Sequence, residues 1–338
     1  MKKMLSLSIL DQTPVSEGST PEQALQHTVE LAQAAERLGY KRFWVSEHHF
    51  SRNLAGSSPE VLIGYLAAKT EKIRIGSGGV MLPHYSAYKV AENFRVLEGL
   101  APGRIDLGVG RAPGGMPIAS MALQNGGRRM ADQYPEQIQD LVTYLYDQAD
   151  EHHRFPNLTA SPNVAAAPAV WLLGSSGESA RLAAQTGASY TFAQFINGEG
   201  GEEAARLYKE RFEPSVLGER PNVIVAVFVI CAETEEKAEN LAKSLDFSLL
   251  ANEQGMVIEG FPSLETALSY QFSPYERKRV EDNRKRMVIG TPRQVKEQLL
   301  ELAGAYGTDE IMAVTITHDF QDRLESYRLL AEAFHQSI

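Results

Sequence analysis

The sequence predicts an α/β fold closed as a (β/α)8 TIM barrel with insertions, on three observations. Short apolar runs alternate with longer amphipathic stretches through short connections, which is the pattern of a parallel sheet, and no antiparallel hairpin signal interrupts it. Eight such runs stand in the chain, each followed by helix, and that number favours a closed barrel over an open sheet. The length of 338 residues suits one barrel of about 250 residues that carries additional segments. The chain is therefore expected to be a single domain over residues 1–338.

Residues 5–10 read as the first buried strand, stopped by the polar turn 11–20. Thr20-Pro21-Glu22 then offers a cap and a proline at the first helical position, and the helix runs to Gly39. Residues 42–45 form the second strand and 59–70 the second helix. The third strand, 72–79, ends in small residues; Gly76, Gly78 and Gly79 permit torsions, and an approach of backbone to ligand, that side chains forbid. A helix over 88–100 is closed by Ala101-Pro102-Gly103, and the fourth strand, 104–109, runs straight into Gly110-Arg111-Ala112-Pro113.

Residues 116–130 read as a mobile loop, 131–146 as a helix, and the polar stretch through Asn163 as too irregular for the core. The fifth strand, 170–173, leads through residues 174–179 into a helix ending at Thr186. The sixth, seventh and eighth strands are 189–193, 223–230 and 310–317. An extra segment after the seventh strand, about 247–287, is punctuated by Gly255, Gly260 and Pro262 and precedes a helix opening at Thr291-Pro292. A long insertion on the ligand face is the usual material of a lid. No short internal repeat or low-complexity tract is present.

Composition excludes several classes. A net charge of −10 argues against a nucleic-acid surface, because phosphate neutralisation needs clustered Lys and Arg. The single cysteine, Cys231, excludes an intrachain disulfide, and its apolar setting FVICA suits a buried thiol rather than a nucleophile. The N-terminal MKKMLSLSIL is followed by no small-residue cleavage site, so it reads as a first strand and the protein as cytoplasmic. No apolar run approaches the roughly 20 residues of a membrane span.

The candidate chemistry sits at strand ends. In KRFWVSEHHF, residues 41–50, an apolar strand breaks into Ser46, Glu47, His48 and His49, where the carboxyl end of a barrel strand lines the ligand crevice. Neighbouring side chains point opposite ways, so one histidine should face the pocket and the other a wall. A buried imidazole bonded to a carbonyl is an equally common occupant of such a position. The run from Gly108 to Pro113 fails as a dinucleotide fingerprint, since Pro113 takes the third glycine position. It leaves Arg111, a planar cation just past a strand, suited to a phosphate or carboxylate or else to an acidic neighbour. Gly174-Ser175-Ser176-Gly177-Glu178-Ser179 places hydroxyls and free N–H groups at a helix start, where an anion would meet Ser176, Ser179 and Arg111 together. Taken alone, the same serines are simple capping. Glu47-His48-His49 and His152-His153 lack the spacing that aims ligands at one point, so no metal site is expected, and no Gly-x-Ser-x-Gly elbow is present.

SEHHF after the second strand, IRIGSGGVMLPHYSAYKVAENFRVLEGLAPGRIDLGVGR across the third and fourth, and LLGSSGESARLAA later closely resemble the luciferase-like flavin-dependent monooxygenases. The resemblance covers nearly the whole chain and is most specific over residues 41–111. It implies a TIM-type barrel that binds reduced FMN supplied by a separate NAD(P)H-dependent flavin reductase, and that uses O2 to oxidise a small organic substrate beneath the lid. It also implies His48 as the acid or base of the flavin-oxygen chemistry, Arg111 as the grip on the FMN phosphate, and Ser176 and Ser179 as its hydroxyl partners. Gly78-Gly79 falls where relatives have an often cis, non-proline peptide beside the flavin ring. Ser175, counted with the same cofactor-binding turn, stands where the luciferase itself has an acidic residue, and Gly110 where it has a cysteine, so light emission is not expected. Homodimers built from helices after the early strands are common in the family, and the apolar faces of 59–70 and 88–100 could serve. A deazaflavin (F420)-dependent hydride-transfer enzyme on the same barrel is the alternative, and a flavin-binding protein without turnover is a third.

Overall fold

In the computed structural model, which describes residues 5–126 and 131–335, eight parallel strands close into a ring. They are β1 (Ser6–Asp11), β2 (Arg42–Val45), β3 (Arg74–Met81), β4 (Ile105–Gly110), β5 (Ala169–Gly174), β6 (Ser189–Ala193), β7 (Val223–Cys231) and, after a ninth strand outside the ring, β9 (Glu310–Val314). Each pairs with the next, and β9 closes the circle by pairing with both β7 and β1. The flanking helices are α1 (Pro21–Arg37), α2 (Pro59–Lys69), α3 (Ala87–Leu100), α4 (Pro117–Leu123), α5 (Tyr134–Leu145), α6 (Gly177–Thr186), α7 (Gly201–Glu210) and α8 (Glu235–Glu253). Then come α9 (Leu264–Ser269), α10 (Pro274–Arg284), α11 (Pro292–Tyr306) and α12 (Phe320–His335). The expected start of α1 is realised in full: Thr20 caps it and makes a reciprocal capping box with Gln23, with Pro21 at the first position.

Three expectations are corrected. The strand β8 (Met287–Gly290) was not read from the sequence; it extends the sheet by pairing with the upper half of β7, outside the ring. The eighth barrel strand ends at Val314 rather than at 317. Within the loop expected over 116–130, residues 117–123 form α4, which has a proline at its start and buries no residue, so no apolar periodicity marks it. Residues 127–130 of that expectation lie outside the described residues. The insertion after β7 is helical, and its connecting strap is tied to the loop after β1. Phe261 N donates to Val15 O at 2.7 Å and Glu17 N to Phe261 O at 2.9 Å. The Glu17 carboxylate accepts from Ser263 N at 2.9 Å and from the Thr266 hydroxyl at 2.8 Å.

Side chains alternate across each strand. Ile9, Phe43, Val45, Ile75 and Leu107 join the layer between barrel and helices, while Leu10, Trp44, Trp171, Ala226 and Met312 fill the barrel. Beneath them lies a buried ionic cluster. Arg42, which opens β2, reaches Asp106 at 2.7 Å and Glu310 at 2.6 Å and stacks over the Trp171 ring at 4.7 Å. Ser8 and Lys41 donate to Glu310, and Trp44 Nε1 and Arg74 to Asp106. Burial alone would raise the Glu310 carboxyl, but the cations of Arg42 and Lys41 outweigh it and hold that group below its ordinary value. Cys231 is buried in β7, and burial pushes its thiol up to about 12, which leaves it unreactive at neutral pH.

Arg42→Ala strands two buried carboxylates without their shared cation. The expected loss is about 3–5 kcal/mol of unfolding free energy, read from urea denaturation, and a loss below about 1 kcal/mol would contradict a structural role for the cluster.

Candidate active site

A cavity of about 640 Å³ opens at the carboxyl ends of the strands, the end of such a barrel where ligands bind. Its deep walls are Leu10, Trp44, Ala226 and Met312. Gly78 and Gly79 form one side, and Arg111 with Ser175, Ser176 and Ser179 stand towards the mouth. The cavity is therefore apolar at depth and polar where the helix α6 begins.

The glycine pair is joined by a cis peptide, and the register of β3 against β4 shifts at the same place. The reason for glycine is packing between strands as much as access for a ligand. A Cβ on Gly79 would lie 2.5 Å from Leu173 and 2.7 Å from Gly108 O, and one on Gly108 would lie 2.2 Å from Ser77 O.

Arg111 follows β4 directly, and its guanidinium pairs with Glu178 at 3.0 Å, both side chains being exposed. At the start of α6, the Ser176 hydroxyl makes no capping bond. The hydroxyls of Ser179 and Tyr190 both donate to Ser176 O, at 2.8 and 3.2 Å, and Asn197 donates to Ser175 O at 2.9 Å. The turn is held by bonds to its carbonyls, which leaves the first N–H groups of the helix without a side-chain cap. Six of the seven residues singled out from the sequence thus surround one cavity: Gly78, Gly79, Arg111, Ser175, Ser176 and Ser179.

His48 does not line that cavity. It shares strand parity with Trp44, which does, and its backbone N–H donates to Gly56 O at 2.7 Å. Its Nδ1 stands 3.1 Å from the Ser46 hydroxyl. Burial, opposed by Glu47 and reinforced by His49, lowers this imidazole to about 4. His49 takes the wall position: its Nε2 lies 2.7 Å from Glu47 Oε1 and its backbone bonds to Gly114.

The sequence did not reveal what Glu47 does. This buried carboxylate also accepts from Tyr85 OH at 2.7 Å and from Met81 N at 2.9 Å, so it ties the end of β2 to the end of β3. Its place in the motif marked it as an acid, but no spacing in the chain announces partners 34 and 38 residues away. Of the second histidine pair, His152 is exposed and His153 stands 3.5 Å from Asp140. Among the described residues no group of three or more His, Cys, Asp or Glu side chains is arranged to hold a metal ion, and no helix is long and apolar enough to cross a membrane.

A closed parallel barrel with an amphipathic cavity at its carboxyl mouth defines a (β/α)8 protein. A family model described as luciferase-like monooxygenase matches residues 5–309, and the chain belongs to that family. It is 71% identical to the uncharacterized protein YwcH of Bacillus subtilis over 98% of this chain and 99% of that one. It is 42% identical to the N-acetyl-S-alkylcysteine monooxygenase of the same organism over 98% of each. The crystal structure of apo-MsnO8 superimposes with a TM-score of 0.90 at 40% identity, covering 98% of this chain and 99% of that one. The same fold recurs at lower identity in the oxygenating constituent of 3,6-diketocamphane monooxygenase of Pseudomonas putida in complex with FMN (TM-score 0.72, 18% identity, 98% and 97% covered). It recurs too in an F420-dependent secondary alcohol dehydrogenase (TM-score 0.73, 13% identity, 98% and 99% covered).

The His48 imidazole should remain neutral until the pH approaches about 4, as followed by its ring C–H resonance in an NMR titration; a midpoint near the ordinary 6.5 would contradict the burial argument. Because the unfolded chain takes up this proton first as pH falls, the stability that depends on the neutral ring is present above about 6.5 and lost towards about 4.

Proposed function

We propose that the chain is a monooxygenase that binds reduced FMN, delivered by a separate NAD(P)H-dependent flavin reductase, and uses O2 to oxidise a small organic substrate. The observation that carries this reading is the convergence of Arg111 with the Ser175–Ser176–Ser179 turn at the mouth of a cavity whose depth is apolar and flanked by Gly78-Gly79. Its volume of about 640 Å³ lies within the range of small-molecule and cofactor sites. The donor set fits the group: a guanidinium, hydroxyls and uncapped helix N–H groups suit a phosphate, and an apolar slot suits a flat ring system.

The bound reduced flavin would supply the electrons for O2 activation. The chain's own residues do the rest. Arg111 exchanges its exposed pair with Glu178, a weak interaction in water, for a phosphate that accepts more and stronger bonds. The N–H groups at the start of α6 and the hydroxyl of Ser176 would complete the anion's partners, joined by the Ser179 hydroxyl on giving up its bond to Ser176 O. Leu10, Trp44, Ala226 and Met312 exclude water from the deep end. His48, which the resemblance offers as acid or base, is kept neutral by burial in the loop after β2 and stands outside the cavity's lining. The helical insertion after β7, tied to the β1 loop through Glu17, covers the substrate as a lid.

A hydride-transfer enzyme using a deazaflavin is the second reading, favoured by the fold shared with an F420-dependent dehydrogenase. Anaerobic titration of the protein with reduced FMN and with reduced deazaflavin separates the two. Saturable binding of reduced FMN is expected, and tight binding of the deazaflavin alone would overturn the proposal. Arg111→Ala should weaken FMN by about 1.5–3 kcal/mol, the size of a charge-assisted bond, and leave phosphate-free riboflavin nearly unchanged. Equal losses for the two ligands would remove the phosphate role.

A further inference from the structure

We infer that Arg181 is a positioning residue of the anion clamp: it takes over the Glu178 carboxylate when a phosphate takes Arg111, so that Glu178 is a resident anion that leaves and returns with each ligand. The inference rests on the phosphate role proposed for Arg111 and goes beyond it by saying where the displaced acid goes. Helix α6 sorts its residues by face. Ala180, Ala183 and Ala184 are buried, while Glu178, Arg181, Leu182 and Gln185 line the cavity. Spacings of three, four and seven residues put those four side chains in one stripe. Arg181 therefore follows Glu178 by about one turn on the same side of the helix.

Glu178 already holds the place of a ligand anion. Its Oε2 accepts from Arg111 Nη2 at 3.0 Å. It also belongs to the first turn of α6, where the positive end of the helix dipole favours a carboxylate. A phosphate seeks the same guanidinium and the same helix end. Both anions at Arg111 would set like charges side by side, which costs free energy.

The carboxylate must therefore withdraw, and the cation on its own stripe is Arg181, three residues on, a spacing at which an acid and an arginine reach one another on a helix. The move exchanges one ion pair for another and costs little. Its reverse, the return of Glu178 to Arg111, competes with the bound phosphate and helps to release it. Such a clamp suits a flavin that arrives from a separate reductase and leaves again, rather than one kept through many turnovers.

The test is a double-mutant cycle on the affinity of the full chain for reduced FMN under anaerobic conditions, with inorganic phosphate followed by ³¹P NMR as a probe that carries no ring. Glu178 and Arg181 are exposed, so their substitution leaves the fold intact. Glu178→Gln should tighten reduced FMN by roughly two- to fivefold, the span of an exposed ion pair, slow its release in a stopped-flow displacement, and leave reduced riboflavin unchanged. Arg181→Ala should weaken reduced FMN by a similar factor in the unaltered chain and have no effect in the Glu178→Gln chain. Equal weakening in both chains would make Arg181 a direct phosphate contact and overturn the inference, as would a Glu178→Gln chain that binds reduced FMN no more tightly or releases it no more slowly. Should the unaltered chain bind inorganic phosphate with this pattern but no FMN, the flavin reading fails and the exchange of partners by Glu178 stands. Should FMN bind without the pattern, the exchange alone fails, and binding of neither ligand overturns both.

Discussion

Strands β3 and β4 approach so closely that Gly76, Gly79 and Gly108 have no room for a side chain. A Cβ on Gly76 would meet Asp106 at 2.6 Å, and one on Gly108 would meet Ser77 O at 2.2 Å. This steric constraint sets much of the site. It places the Gly78-Gly79 peptide against the cavity, shifts the register of β3 at that point, and delivers Arg111 one residue beyond the end of β4. Below the seam the barrel interior is held by Arg42, which satisfies Asp106 and Glu310 at once. Buried carboxylates of this kind are tolerated only when paired and hydrogen-bonded, so the polar base and the glycine seam are parts of one packing solution.

The mouth has an organiser of its own in Glu47. One buried carboxylate receives bonds from three points of the chain and aligns the end of β2 with the end of β3. Bonds to an ionised acceptor contribute roughly twice as much as neutral ones. The adjacent histidines are held by different partners: His49 Nε2 stands against Glu47, and His48 Nδ1 against the Ser46 hydroxyl. Across the cavity the polar groups are arranged differently. Arg111 and Glu178 form an exposed pair that a stronger anion can displace, and the carbonyls of Ser175 and Ser176 are occupied while the helix N–H groups are not.

Much of this was legible in the sequence because it depends on local signals. The alternation of apolar runs with capped amphipathic helices marked the barrel, and Thr20-Pro21 marked the start of α1. Arg111 and the serine turn after β5 stood out because a strand end followed by glycine and hydroxyl residues is a local pattern. The segments that escaped have weak local signals. Strand β8 is only four residues long and follows a polar helix, and α4 buries nothing, so neither carries a period. The partners of Glu47, and the pairing of Arg111 with Glu178, depend on contacts between segments far apart in the chain. No spacing rule reports them.

We propose that the mouth between β4 and α6 holds the phosphate of a flavin whose ring lies along the glycine pair. In a crystal structure of the protein soaked with FMN, phosphate oxygens are expected within hydrogen-bonding distance of Arg111 and the Ser176–Ser179 turn, with the Glu178 pair broken and the ring packed beside Gly78-Gly79. A phosphate bound elsewhere, or no flavin in the cavity at saturating FMN, would contradict it.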